Sequence, residues 1–129
     1  QRHEMIKNMI DSPAIIVGSS LVGLSAILFA LESPELVESM ILLAPLVGLY
    51  DQSLCSPQDY QKILTTFVPK SIDCKIIASP SDEVIPIDAI YDFIKRSGKA
   101  DHIELIEVED DHSLNNSLNV LLAEINKLI

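Results

Sequence analysis

At 129 residues the chain has the length of one domain, and a 48% hydrophobic content places it among globular rather than disordered sequences. Nine Lys and Arg stand against 19 Asp and Glu, a net charge of −10 that repels nucleic acid and anionic membrane surfaces. Cys55 and Cys74 have no Cys-x-x-Cys spacing and no nearby histidine; a disulfide between them stays open, but two free thiols in a reducing, cytoplasmic setting is the preferred reading.

A helical stripe already runs at the start of the sequence, through Met5, Ile6, Met9 and Ile10, and Asp11-Ser12-Pro13 ends it. Ala14 to Val17 then reads as a first strand, and Leu21 to Leu31 as a helix buried on most sides, stopped by Ser33-Pro34. Val37 to Ala44 is a second apolar strand closed by Pro45. Residues 46–73 form the least regular stretch, a short lid-like insertion with one helix opened by Ser56-Pro57 and closed near Val68-Pro69. Lys75 to Ala78 is a third strand. Ile87 to Ser97 is an amphipathic helix with Ile90, Phe93 and Ile94 inward and Gly98 as its C-terminal cap. Ile103 to Val108 is a fourth strand, and a last helix carries Leu114, Leu118, Leu121, Leu122, Ile125 and Ile129.

Strand and helix alternate throughout, which predicts an α/β three-layer sandwich with a parallel sheet, in a single domain over residues 1–129. Residues 12–31 carry no charge and are long enough to cross a bilayer. Gly18-Ser19-Ser20 breaks that stretch in the middle, after a strand-like cluster, so no membrane span is expected.

In an open parallel sheet, ligands bind beyond the carboxyl ends of the strands. Ser20, Asp82 and His112 each fall just past such an end, on three different strands and in the order serine, acid, histidine. A serine hydroxyl is a weak nucleophile until a base takes its proton. An imidazole, titrating near pH ~6.5, can take that proton and return it to a leaving group. A carboxylate on the other ring nitrogen fixes the tautomer and stabilises the imidazolium. The backbone N–H of Leu21, opening a helix, would hold a developing oxyanion.

Plainer readings stand beside these. Ser20 could be a helix N-cap, and Ser19 is the competing nucleophile. Gly18 to Gly23 could cradle a phosphate, although Leu24-Ser25 follows where a P-loop has lysine. His112 with Asp110 and Asp111 could be a solvated acidic turn or a weak metal site, and Glu83 a substitute acid. His3 and His102 read as surface residues. Tyr50, Tyr60 and Phe67 could line an acyl pocket or simply pack. No cofactor or metal is expected.

Taken together, the chain resembles the C-terminal half of an α/β-hydrolase, whose pattern is a Gly-x-Ser-x-Gly turn followed by acid and histidine. Gly18, Ser19, Ser20, Leu21 and Val22 match that turn except at the last glycine, with Gly23 one position later. A β-branched side chain at Val22 is expected to crowd the turn. Ser79-Pro80-Ser81-Asp82-Glu83-Val84-Ile85-Pro86 follows the family's Gly-x-x-Asp-x-x-Val-Pro setting loosely, with Ser79 in place of the glycine, and His112-Ser113 resembles its histidine. The resemblance implies a serine hydrolase acting on a small-molecule ester or thioester. It also implies that these four strands are the fifth to eighth of about eight, in a piece of a longer chain that lacks the loop bearing a second oxyanion donor. A non-catalytic hydrolase-like binding module and a phosphate- or nucleotide-binding domain are the alternatives.

Overall fold

A computed structural model describes residues 13–98 and 101–128. The stripe on Met5, Ile6, Met9 and Ile10, the surface reading of His3 and the place of Ile129 in the last helix lie outside the described residues. Four strands, β1 (Ala14–Ser19), β2 (Val37–Leu43), β3 (Asp73–Ala78) and β4 (Ile103–Glu107), form one sheet in the order β1-β2-β3-β4. Every neighbouring pair is parallel, with Ser19 opposite Leu43, Leu43 opposite Ile77, and Ala78 opposite Glu107, so the strands end in step along one rim.

Parallel neighbours need crossovers, and helices supply them. The helices are α1 (Ser20–Glu32), α2 (Pro57–Ile63), α3 (Ile87–Arg96) and α4 (Leu118–Leu128). β2 is buried on both faces, as expected of a strand covered on either side. Met40 and Leu42 join Cys74, Ile76 and the inner residues of α1 and α3, Ile27, Phe29, Ile90 and Phe93. Ile41, Leu43 and Ile77 face the other way and meet Leu121 and Ile125 of α4. The result is three layers, helices, sheet and helix.

Several elements differ from expectation. β1 extends through Ser19, and β3 begins at Asp73. α1 is less enclosed than its composition suggests, because Leu21, Val22 and Leu28 remain exposed. α2 ends at Ile63, well short of Val68. The Thr65 and Thr66 hydroxyls donate back to the Lys62 and Ile63 carbonyls at 2.8 Å each, which takes over acceptors that a longer helix would use. The last helix also begins later than its leucine spacing implies. Leu114 is left-handed at φ 56° and opens a 3-10 turn, Asn115–Ser117, before α4 starts. Leu114 itself is buried, whereas Leu118 and Leu122 are exposed, so the stripe is only partly a core face. α3 follows the sequence reading, and Gly98 closes its end at φ 92°, a conformation that favours glycine.

Cys55 and Cys74 are both free. Cys74 is buried in β3, and burial pushes its thiol up to about 12. The uncharged run at 12–31 is divided between β1 and α1, and no helix among the described residues is long and apolar enough to cross a membrane.

Candidate active site

β1 delivers Ser20 at a turn so tight that backbone packs on backbone. A Cβ on Gly18 would lie 2.8 Å from the Val22 carbonyl oxygen, and one on Gly23 would lie 3.2 Å from Pro45. The need for small residues therefore falls on Gly18 and Gly23. Val22, expected to crowd this turn, instead points its side chain outward and is 57% exposed. Ser20 itself has φ 52°, in the left-handed region that non-glycine residues seldom occupy. Its carbonyl accepts the Leu46 N–H at 3.1 Å, which ties the turn to the chain leaving β2.

Past the end of β3, Asp82 is buried at 4% exposure. One carboxylate oxygen accepts the N–H groups of Val84 at 2.7 Å and Ile85 at 2.8 Å, so the side chain is locked by its own loop. The other oxygen lies 2.9 Å from His112 Nδ1. On the far side of the ring, Nε2 lies 2.9 Å from Ser20 Oγ. A carboxylate can only accept, so the Nδ1–H donates to Asp82, and Nε2 is left to accept the Ser20 hydroxyl proton. Residues separated by 92 and 30 positions thus form one hydrogen-bonded row, serine, imidazole, carboxylate.

The neighbouring candidates go elsewhere. Ser19, not Ser20, is the N-cap residue of α1; it is exposed and makes no side-chain capping bond. Glu83 does not substitute for Asp82 at the ring: its carboxylate accepts the His112 backbone N–H at 3.3 Å. His102 is partly buried rather than a free surface residue, with Nε2 donating to the Val68 carbonyl at 3.0 Å. Asp111 binds the Ser113 N–H and hydroxyl. Asp110 receives Asp111 N–H at 2.8 Å, Asn116 N–H at 2.9 Å and Ser117 Oγ at 2.9 Å, and so binds the histidine turn to the 3-10 turn after it. Desolvation pushes the Asp110 carboxyl up, but these hydrogen bonds together outweigh it and hold the group below its ordinary 3.8. Among the described residues no group of three or more His, Cys, Asp and Glu is placed to hold a metal ion.

An apolar cleft of about 290 Å³ lies between α1 and α2, with none of Ser20, Asp82 and His112 in its lining. Leu21, Leu24, Leu28, Leu46, Ile63 and Cys55 form most of its wall, with Asp59, Lys62 and Thr66 as the polar members. Two of those residues connect directly to the site: Leu21 follows Ser20 in the chain, and Leu46 donates its N–H to the Ser20 carbonyl. Tyr50, Tyr60 and Phe67, for which pocket lining and plain packing were both open, do not line this cleft. Tyr50 and Phe67 are exposed at 61% and 42%, and the Tyr60 hydroxyl accepts the Leu49 N–H. Spacing along α1 was the available signal, since Leu21, Leu24 and Leu28 recur at i, i+3 and i+7 on one helix face.

The arrangement of strands and helices is shared with solved structures. The chain is similar to alpha/beta hydrolase domain-containing protein 10 from mouse, at 17% identity and a TM-score of 0.75, over 98% of this chain and 67% of that one. The fold is the α/β-hydrolase fold. The chain is also similar to the monoacylglycerol lipase of Paleococcus ferrophilus, at 10% identity and a TM-score of 0.68, over 95% of this chain and 72% of that one. A third likeness is to the 2-hydroxy-6-oxo-6-phenylhexa-2,4-dienoate hydrolase of Rhodococcus sp. strain RHA1, at 14% identity and a TM-score of 0.65, over 95% and 68%. This α/β-hydrolase-fold domain therefore spans about two thirds of the length of such chains. No family model matches the sequence, and no curated protein matches it.

Proposed function

We propose that the protein is a serine hydrolase that cleaves a carboxylic ester or thioester of a small molecule through an acyl-enzyme. The observation that carries this reading is the row of two 2.9 Å contacts, Ser20 Oγ to His112 Nε2 and His112 Nδ1 to Asp82. Ser20 is the nucleophile: as Oγ attacks the acyl carbon, its proton passes to Nε2. The carbonyl oxygen becomes an oxyanion beside the Leu21 N–H, at the positive end of the 13-residue α1. When the tetrahedral intermediate collapses, the bond to the alcohol or thiol breaks and His112 gives that group the proton. Water then repeats the sequence on the acyl-enzyme and restores the Ser20 hydroxyl. Asp82 stays ionised throughout and holds the imidazolium in register. In the resembled pattern a second oxyanion N–H comes from a loop ahead of these strands.

The apolar cleft that begins at Leu21, the residue after Ser20, suits the acyl part of such a substrate, because few polar groups line it. The similar structures include hydrolases, one of them a lipase, which agrees with this chemistry. Two free thiols suit a reducing compartment such as the cytoplasm.

Turnover of a short aryl ester by the intact protein tests the proposal. Ser20→Ala is expected to reduce kcat by about 10⁶-fold, to background, with the fold unchanged. Equal turnover by Ser20→Ala and the parent would reject it, and absence of turnover in the folded parent would favour a non-catalytic binding module.

A further inference from the structure

Asp82 and His112 stand on two different loops, and something must hold those loops at a fixed separation. Ser79, the first residue after β3, is placed to do so. Its hydroxyl oxygen accepts the Ser81 N–H at 3.0 Å, on the acid loop, and the Asp110 N–H at 3.2 Å, on the histidine loop. Its carbonyl accepts the Asp82 N–H at 3.1 Å, so the same residue also begins the turn that presents the carboxylate.

We propose that Ser79 is a positioning residue of the hydrolytic site, a buried clamp that sets the Asp82–His112 contact by tying the two loops together. The inference rests on the roles proposed above for Asp82 and His112. Two further links cross between the loops, Ser81 Oγ to Glu109 at 3.2 Å and the His112 N–H to Glu83 at 3.3 Å. Both are solvent-exposed, so water can replace either partner at little cost. Ser79 is 1% exposed. Its two bonds are partly buried, so water is a poorer substitute for its oxygen than for the partners of the two exposed links. Asp110 lies two residues before His112 and is itself bonded to the turn beyond it, so a shift at Asp110 moves the ring. Ser79 also occupies the position where the resembled Gly-x-x-Asp pattern has glycine, which offers no side-chain acceptor. The clamp is therefore a feature of this chain's own sequence.

The test compares Ser79→Ala, Ser79→Cys and Ser79→Thr with the parent in the intact protein, by two readouts below each variant's melting temperature. The first is the low-field proton resonance of the His112 Nδ1–H, which reports its bond to Asp82 whether or not the protein turns over. The second is kcat and KM for a short aryl ester. Ser79→Ala should broaden or abolish the resonance and lower kcat on the order of 10–100-fold, with KM within about twofold, because displaced reacting groups slow chemistry more than binding. Ser79→Thr, which keeps the acceptor oxygen, should recover both. Should Ser79→Ala fail to fold, Ser79→Cys decides by the same criteria, since its sulfur is a weak acceptor of similar shape. A variant that melts earlier yet keeps the resonance and kcat would overturn the clamp and leave Ser79 a purely structural residue. If hydrolysis proved independent of Ser20, the resonance alone would still decide for or against the clamp.

Discussion

Ser20 combines a left-handed backbone, φ 52°, with a side chain engaged by His112 at 2.9 Å. A left-handed conformation costs an L-residue roughly 1–2 kcal/mol, a cost glycine escapes. Ser20→Gly and Ser20→Ala both remove the hydroxyl, but only the alanine keeps the Cβ. Ser20→Gly should therefore be the more stable of the two by about 1 kcal/mol in urea unfolding. Equal stability would mean that the turn at Ser20 stores no strain in solution. Gly18 makes the opposite demand. An added methyl there meets the Val22 carbonyl at 2.8 Å, a backbone atom that cannot swing aside. Gly18→Ala is expected to cost about 1–3 kcal/mol and to impair hydrolysis together with stability. Unchanged unfolding would refute the close approach. At this scale the candidate residues were legible, because Ser20, Asp82 and His112 each lie shortly after the end of an apolar strand. The outward direction of Val22 was not, since it depends on which way the helix leaves the turn at Ser20.

Among the elements, α4 is fastened to the sheet by a polar contact. Glu124 on α4 is nearly buried, and its carboxylate meets Lys75 of β3 at 2.7 Å and Lys127 at 2.9 Å. Hydrogen bonds from Lys75 and then Lys127 hold the Glu124 carboxyl below its ordinary 4.5, against the opposing effect of burial. Lys75 is held above its ordinary 10.5, first by its bond to Glu124. The depressed carboxyl contributes stability above pH 4.5 that is lost as pH falls through its lower folded value; the raised amine contributes below pH 10.5 and is lost as pH rises through its higher one. Glu124→Gln should accordingly lower the urea midpoint between those limits, and the gap to the parent should close in acid. A gap that persisted unchanged in acid would show that charge plays no part. Element order and type could be read from proline and glycine punctuation and from apolar spacing, both local signals. The end of α2 could not, because Thr65 and Thr66 turn back onto carbonyls of their own helix rather than extend it. Nor could the start of α4, where Leu114 trades helical geometry for burial against Ile41 and Ile77.

For the molecule as a whole, a sheet in sequential order with strands ending in step converts separation in sequence into proximity. The three-layer arrangement follows from alternation of strand and helix, which is why the fold was legible while the links between loops were not. The Ser79 contact spans 31 positions and has no periodicity to announce it. Within the described sheet, β1 lies at one edge, and Ile15 and Val17 are exposed at 37% and 42% on its α4-side face. Unpaired strand edges with apolar side chains promote association. Val17→Lys should therefore reduce concentration-dependent self-association of the isolated 129-residue chain in size-exclusion chromatography. An unchanged profile would show that this edge is already covered.

Covalent labelling of the intact protein by a fluorophosphonate, with the modified residue located by mass spectrometry, asks most directly whether His112 and Asp82 activate Ser20. Modification confined to Ser20, lost in Ser20→Ala and strongly slowed in Asp82→Asn, is the expected result. Modification elsewhere, or none on a correctly folded protein, would contradict it.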